Sequence, residues 1–206
     1  MSYYADLDVS TIDELPPGRL PITTVHRFDD QRSKVMDFIK EEIALGRQAY
    51  IIFPLIEESD KVDYENLMQG YENVKAYFPE PRYWISMVHG RQPADQKETN
   101  MQRFVSGDTQ IMVSTTVIEV GVNVPNATVM VIESAEKFGL SQLHQLRGRV
   151  GRSHHRAYCY LLLPPDRPVT PVAAKRLKAI EEYSHLGAGF KIAMRDLEIR
   201  GAGNIL

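Results

Sequence analysis

The sequence predicts an α/β fold, a doubly wound parallel sheet with helices on both faces, followed by a helical hairpin. Short apolar runs of strand length alternate with segments whose apolar residues recur at helical spacing, which is typical of βαβ units. Proline and glycine separate these segments where the chain must turn. The 206 residues, of which 43% are hydrophobic, are enough for one medium-sized domain with extensions.

Six apolar runs are predicted to be buried strands of this sheet. Strands that are covered on both faces are apolar along most of their length, and these runs have that character. Cys159, the only cysteine, lies in the last run and is expected to be a small buried residue. The runs are Ile22–Phe28, Ala49–Phe53, Tyr83–Val88, Ile111–Val113, Thr128–Ile132 and Ala157–Leu163.

Three helices are predicted between the first strands. Asp29 or Asp30 can cap the first helix, and Pro93 is placed to open the third. Gly46 and Gly107 end two of them, because glycine is common just after a helix. The apolar residues that mark these helices span Val35–Ile43, Leu67–Phe78 and Met101–Val105.

The chain divides into three predicted regions. Prolines break the N-terminal region, which we interpret as a connector from a preceding domain. The C-terminal region contains a helical pattern over Val172–His185 and another over Phe190–Leu197, with glycines between them, so we expect a helical hairpin outside the sheet. The regions are residues 1–21, 22–165 and 166–206.

Composition limits the function. A net charge of -3 argues against a basic surface over the whole molecule, so any nucleic acid must be held by a restricted patch. One cysteine cannot form a disulfide framework or a cysteine metal cluster, and we expect no metal site. The longest apolar runs are of strand length and the N-terminus lacks a signal pattern, so we expect a cytoplasmic protein without a membrane segment.

Positive charge is concentrated in one short run. Residues 147–156 contain four arginines and two histidines and no acidic residue. A solvated charge run normally mixes both signs and does not need Gly148 and Gly151 between its arginines, although surface solubility is the alternative explanation. A guanidinium group is always charged and has a planar fork, which suits it to the oxygens of a γ-phosphate. We therefore predict that Arg149 and Arg152 face a phosphate.

Two predicted loops that follow strands carry residues suited to nucleic acid. Ser114 and Thr115 follow the strand that ends at Val113 and can contact a phosphate, or they can simply cap a helix. Further along this loop, Gly121 allows a close approach of the backbone, and Asn123 can hydrogen-bond a ribose hydroxyl. The second loop consists of His89, Gly90 and Arg91, for which a backbone phosphate contact and an ordinary turn are both open.

A phosphate-cradling loop is missing from the sequence. No G-x-x-x-x-G-K-[ST] pattern occurs, and Asp13-Glu14-Leu15-Pro16 follows no buried strand, so it is not a magnesium-binding acidic box. A domain with phosphate-facing arginines and no cradle supplies half of an ATP site. The other half must come from another domain.

Two motifs resemble those of superfamily 2 helicases. Thr115 to Pro125 resembles helicase motif V, and Gln145-x-x-Gly148-Arg149-x-x-Arg152 resembles motif VI. The longer strings at residues 139–149 and 6–18 are similar to the RecG type of DNA helicase and to its relative, the transcription-repair coupling factor. The resemblance covers nearly the whole chain.

This resemblance implies the second of two RecA-like, P-loop-type motor domains that clamp ATP and Mg²⁺ between them, with most of the nucleotide held by the first domain. Arg149 and Arg152 would reach the γ-phosphate, and Gln145 would lie at the nucleotide interface. Asn123 would sit near the ribose, where many relatives have aspartate. The domain alone is expected to be inactive, and the full-length protein is expected to be an ATP-dependent DNA helicase.

The resemblance also implies contacts with double-stranded or branched DNA. Ser114 and Thr115, with the loop at residues 89–91, would follow the DNA backbone. The C-terminal hairpin resembles a translocation motif in which Arg176 lies on the first helix and Arg200 follows the second. The expected partners are DNA and the preceding RecA-like domain of the same protein.

Two further alternatives remain open. Residues 153–155 and 186–203 are nearer to the coupling factor than to RecG, and RNA polymerase is a partner only under that alternative. In another class, the arginine run belongs to a non-catalytic module that docks a phosphorylated or nucleic-acid partner. A dinucleotide enzyme is disfavoured because no G-x-G-x-x-G pattern follows the first strand.

Overall fold

The computed structural model describes residues 20–55, 60–115, 123–165, 169–183, 192 and 194–200. Its centre is a six-stranded sheet in the order β1-β6-β5-β2-β4-β3. Every strand pair is parallel, which confirms the predicted sheet. The strands are β1 (Thr23–Phe28), β2 (Gln48–Phe53), β3 (Ile85–Val88), β4 (Ile111–Thr115), β5 (Ala127–Ile132) and β6 (Tyr158–Leu163).

Helices connect these strands and follow the last one. They are α1 (Arg32–Ala44), α2 (Asp60–Tyr77), α3 (Ala94–Val105), α4 (Leu140–Arg147), α5 (Pro171–Glu182) and α6 (194–200). Two 3₁₀ turns, Asp29–Gln31 and Ala135–Lys137, precede α1 and α4. The sequence patterns delimit no helix at α4, because its eight residues present too few periodic apolar positions to stand out.

Alternating strand residues divide the core into two layers. On β2, Tyr50 and Ile52 pack on one face of the sheet, and Ala49 and Ile51 pack on the other. Helices α3, α4 and α5 cover the first face, and α1 and α2 cover the second. Helices on both faces explain why the strands are apolar along their length.

The start of α1 differs from the prediction. Neither Asp29 nor Asp30 caps the helix, because both lie in the 3₁₀ turn and the N-cap residue Gln31 makes no side-chain cap bond. The carboxylate of Asp29 instead accepts a hydrogen bond from Nε of Arg32 at 2.6 Å. A salt bridge within the first turn has replaced the cap.

The predicted hairpin region packs against the sheet. Leu177 and Ile180 of α5 belong to the same core cluster as the first face of the sheet, and so do Ile192 and Ile199. Thr170 caps α5 by accepting a hydrogen bond from the backbone N–H of Ala173 at 3.1 Å. The predicted turn between the two helices lies outside the described residues, as does most of the N-terminal connector. The three region boundaries remain predictions.

Strand polarity gives the sheet two chemically distinct edges. Because all six strands are parallel, their carboxyl ends share one edge and their amino ends share the other. The loop after β3 and the last residues of β4 therefore lie at the carboxyl edge. The segments that lead into β5 and β6 lie at the amino edge.

Gly151 marks a close approach at the amino edge. Its φ is +76°, in the left-handed region that glycine adopts readily. A Cβ atom at this position would stand 2.8 Å from Cγ1 of Ile22, the residue before β1. The turn after α4 is therefore pressed against the start of the first strand.

We expect Gly151→Ala to lower the free energy of unfolding by about 2–4 kcal/mol, because it combines left-handed strain with overpacking. Gly107→Ala is the matched control, since Gly107 has a φ of +87° and nothing within 4 Å of a Cβ atom. The control should cost only about 1 kcal/mol. Urea unfolding of both variants measures the difference, and equal losses would contradict the close packing.

Candidate functional site

The carboxyl edge brings two predicted groups together. β3 and β4 are neighbours, and the hydroxyl of Ser114 donates a hydrogen bond to the carbonyl of Val88 at 2.8 Å. Ser114 and Thr115 are buried and form the last residues of β4, whereas the sequence placed them after a strand that ends at Val113. The residues that a helix cap would serve lie outside the described part of the chain. The Oγ1 atom of Thr115 is buried and has no hydrogen-bond partner among the described residues.

The loop after β3 is held by its own side chains. The backbone N–H of His89 donates to Oε1 of Gln92, and Nδ1 of His89 accepts from the backbone N–H of Arg91. The His89 ring is buried, and burial together with Lys97 and Arg91 lowers its pKa, which favours the neutral form that this acceptor role requires. His89 organises the turn, while Gly90 and Arg91 are exposed.

Tyr64 also belongs to this edge, although no sequence pattern singled it out. The guanidinium carbon of Arg91 lies 4.5 Å from the centroid of the Tyr64 ring, and the His89 ring meets the same ring edge-on at 5.3 Å. A cation over a tyrosine face is attracted to the ring. The only sequence signal is an aromatic residue one turn before Leu67 on α2, a common arrangement without functional meaning.

A cavity of about 250 Å³ opens between these groups. Its walls combine apolar surface from Leu55 and Leu67 with the buried hydroxyl of Thr115 and the exposed guanidinium of Arg91. Asp60 and Asp63, on the first turn of α2, add negative charge to the lining of the cavity.

The amino edge holds the predicted nucleotide-facing residues. Asn123 is exposed and precedes β5, and Arg149 and Arg152 precede the neighbouring strand β6. Arg152 is exposed and donates from Nε to the carbonyl of Gly148 at 2.7 Å, and Arg149 is half-buried. Burial raises the pKa of Tyr50 to about 12, and the positive charges of Arg149 and Arg152 oppose this rise. Gly121 lies outside the described residues.

Gln145 and Arg147 occupy opposite faces of α4. Gln145 is exposed near the end of the helix that leads to Arg149. Arg147 is 1% exposed and so points into the core, unlike the exposed Arg152. Its Nη1 atom donates to the carbonyl of Ile180 on α5 at 2.6 Å, and its Nη2 atom contacts Nδ1 of His144 at 3.1 Å. Sequence spacing groups all four arginines, whereas the helix turns this one inward.

A partly buried ion pair ties α1 to the carboxyl end of β5. The two terminal nitrogens of Arg32 donate to the two carboxylate oxygens of Glu133, each at 2.5 Å. Glu133 is 4% exposed, and the pair raises the pKa of Arg32 against the opposing effect of burial. In this bidentate geometry each carboxylate oxygen accepts one hydrogen bond, so the guanidinium and the carboxylate both have a partner. Sequence reasoning missed this pair, because its partners are 101 positions apart.

The two arginines of the predicted translocation motif make different hydrogen-bonding contacts, although Asp196 acts electrostatically on both. Arg176 on α5 donates from Nη2 to the carbonyl of Glu136 at 3.1 Å, and burial lowers its pKa. Arg200 forms a salt bridge with Asp196 at 3.0 Å, one turn earlier. Arg200 lies within α6, not after the second helix as expected from the sequence.

The described residues form neither a metal-binding cluster nor a membrane-spanning helix. No group of three or more histidine, cysteine, aspartate or glutamate side chains is placed to hold a metal ion within that part of the chain. None of its helices is long and apolar enough to cross a membrane.

His144 should make the stability depend on pH. Burial and Arg147 lower its pKa to about 4, below the usual 6.5, so the unfolded chain binds a proton that the folded chain excludes between these values. Protonation would also remove the acceptor at Nδ1. We expect stability to fall as the pH decreases from about 6.5 to about 4, and His144→Gln should remove this part of the loss. Melting temperatures measured across this pH range test the role of His144, and His155→Gln, at an exposed histidine, is the control. Identical pH profiles for the wild type, His144→Gln and His155→Gln would refute it.

Comparison with known proteins identifies the family. Residues 30–154 match the family described as helicase conserved C-terminal domain. The chain is 46% identical to ATP-dependent DNA helicase RecG of Aquifex aeolicus (strain VF5) over 206 residues, which cover 100% of this chain and 25% of the relative. It is 44% identical to RecG of Bacillus subtilis (strain 168) over 204 residues, 99% of this chain and 29% of the relative. The chain thus spans less than a third of these relatives.

Solved structures agree with this assignment. A structure of RecG bound to a three-way DNA junction matches with a TM-score of 0.75 and 41% identity, covering 99% of this chain and 26% of that chain. Domain 2 of the DEAD-box helicase Mss116p, bound to an RNA duplex, shares the fold with a TM-score of 0.52 at 19% identity, covering 69% and 54% of the two chains. The RecA-like fold expected from the resemblance is confirmed. The chain belongs to the helicase conserved C-terminal domain family, and RecG helicases are among its relatives.

Proposed function

We propose that this chain is the second motor domain of an ATP-dependent DNA helicase of the RecG type, which remodels branched DNA in repair and recombination. The observation that carries the proposal is the division of its polar residues between the two sheet edges. One edge presents the loop cations and hydroxyls suited to a DNA strand, and the other presents the arginines suited to a nucleotide. Similarity to RecG over 99% or more of the chain supports this role.

The amino edge would complete an ATP site that another domain begins. Cleavage of the γ-phosphate of ATP, bound with Mg²⁺ mainly by the first motor domain, supplies the energy for movement. Arg149 and Arg152 would stabilise the negative charge that develops on the phosphoryl oxygens, since a guanidinium fork can contact two of them. Gln145 and Asn123 would line the nucleotide interface, with Asn123 as the acceptor for a ribose hydroxyl. Gly121 would let the backbone approach it.

The carboxyl edge would hold the DNA backbone. Arg91, kept over the Tyr64 ring, supplies a fixed cation, and the buried hydroxyl of Thr115 is left to donate to a phosphate oxygen. Ser114, whose hydroxyl already binds Val88, and His89, whose ring organises the turn, would shape this surface. The net charge of -3 makes such a local arrangement necessary.

With a nucleotide at one edge and DNA at the other, the domain would act as one part of a DNA translocase. Arg176 and Arg200 lie on the helices that would couple motor closure to DNA movement, with the preceding RecA-like domain as the partner of the amino edge. We favour the RecG type over the coupling factor because the similarity to RecG proteins spans 99% or more of the chain. RNA polymerase is therefore not a partner under this proposal. A protein that acts on chromosomal DNA in a bacterium must be cytoplasmic, and the relatives reported above are bacterial proteins.

Arg149 tests the nucleotide role. In the full-length protein, we expect Arg149→Ala to reduce ATP turnover by roughly 10²-fold or more, because it removes charge stabilisation from the transition state, while nucleotide binding is less affected. The chain alone should show no turnover. Steady-state ATPase rates with fluorescent-nucleotide titration measure both effects.

Arg149→Lys separates this function from the docking alternative. A non-catalytic module that binds phosphate by charge should tolerate lysine, whereas a bidentate arginine should not be replaceable. ATP turnover at the wild-type rate by Arg149→Lys would contradict the proposal that this chain supplies half of an ATP site. ATP turnover by the isolated chain would also contradict it, if Arg149→Ala abolished that turnover.

Thr115 tests the DNA role. Thr115→Val removes a buried hydroxyl that has no described partner, so we expect the free energy of unfolding to stay the same or to rise by up to about 1 kcal/mol. DNA-stimulated ATPase should nevertheless fall several-fold. Thr109→Val is the matched control, because the buried hydroxyl of Thr109 is bonded to Ser86 at 2.7 Å, so this change should destabilise the domain without a specific DNA effect. Unchanged DNA stimulation in Thr115→Val would argue against the contact.

A further inference from the structure

Arg147 stands out as a charged side chain without access to solvent. It is 1% exposed and is the largest fully buried side chain in the described part of the protein. No carboxylate forms an ion pair with it among those residues, and burial lowers its pKa to about 10. A buried ion without a counter-charge is costly, and an apolar side chain of similar size is often at least as stabilising. Stability alone therefore does not account for an arginine here.

The contacts of Arg147 place it at the end of another helix. Its Nη1 atom donates to the carbonyl of Ile180 at 2.6 Å. Ile180 lies in the last turn of α5, next to Ala179, whose carbonyl accepts from the backbone N–H of Tyr183 at the C-cap. Carbonyls in the last turn lack helical donors, and a cation there also complements the helix dipole. Arg147 thus anchors the C-terminal end of α5.

The same residue begins the turn that carries the phosphate-facing arginines. Arg147 is the last residue of α4, and Gly148 follows it as the C-cap. Consecutive backbone hydrogen bonds then shape the turn, from Arg149 N–H to the carbonyl of Leu146 at 3.1 Å and from Val150 N–H to the carbonyl of Arg147 at 3.2 Å. These backbone hydrogen bonds, with the bond from Nε of Arg152 to the carbonyl of Gly148, hold the turn without using the Arg147 side chain.

We propose that Arg147 is a positioning residue that joins α5 to the Arg149 turn, so that α5 follows this turn when a nucleotide engages it. The inference rests on the proposed function and adds to it the specific connection between the two helices. Guanidinium suits this role because one nitrogen holds the Ile180 carbonyl while another holds Nδ1 of His144 on α4. The single side chain therefore bridges a carbonyl of α5 and a side chain of its own helix.

The test compares Arg147→Met with Arg47→Met in the full-length protein. Methionine fills similar space without charge or donors. Arg47 is the matched control, because its Nη1 atom also donates to a helix-end carbonyl, that of Leu45 at 2.8 Å, but away from α4 and α5. The measurements are the melting temperature, DNA-dependent ATPase, and the number of base pairs unwound per ATP on a branched DNA substrate.

We expect Arg147→Met to melt at or above the wild-type temperature and to keep ATPase within about twofold, while base pairs unwound per ATP fall by about fivefold or more. Arg47→Met should match the wild type in the last two measurements. If Arg147→Met unwinds as many base pairs per ATP as the wild type, the inference is overturned. A parallel loss of ATPase activity and melting temperature also overturns it, because that result indicates a purely structural role.

Two further outcomes are separable. If Arg147→Met does not fold, Arg147→Lys replaces it: lysine keeps the charge but not the forked pair of donors, so the ratio should fall at least about twofold, and a wild-type ratio overturns the inference. If the wild-type protein shows no DNA-dependent ATPase, the proposed function itself fails. That result is distinct from a wild-type protein that unwinds DNA and an Arg147 variant that unwinds it equally well.

Discussion

The parallel direction of all six strands is the constraint on which the rest of this structure depends. It places every strand end of one kind at one edge, and so it separates the residues around Thr115 and Arg91 from those around Arg149 and Arg152. Under the proposed function, a domain built in this way would contact DNA and a nucleotide through residues at separate edges. The partly buried pair of Arg32 and Glu133 secures one helix to the carboxyl edge, and the contact of Gly151 with Ile22 secures the arginine turn to the amino edge.

Helix α4 is the connection between these edges. It begins after the carboxyl end of β5 and ends before the amino end of β6, so its eight residues cross the sheet. Its buried face carries Leu143 and Leu146 into the core, and Arg147 extends the same face to α5. Its exposed face carries Gln145 toward the proposed nucleotide interface. A displacement of the arginine turn would therefore act on a rigid element that is already packed against the C-terminal helices.

Periodicity in the sequence predicted the six strands and the first three helices, because strands covered on both faces and amphipathic helices leave strong local patterns. It failed where a local pattern has competing solutions. Asp29 is a good cap by residue type, but the nearby guanidinium of Arg32 took its carboxylate. Helix α4 is too short to show a period, and the contact of Tyr64 with Arg91 depends on two segments that meet only after the sheet has formed. Local preference cannot anticipate such long-range contacts.

By itself, the sequence determined the fold class, the helicase resemblance and the chemical types available for phosphate contact, since these follow from composition, order and spacing along the chain. Only the tertiary structure decided which of these residues face the same way. Arg147 and Arg149 are two positions apart in a run of like charge, yet one is buried against α5 and the other lies in the turn beyond the helix. The physical reason is that helix rotation and burial, which depend on partners distant in sequence, set the direction of each side chain.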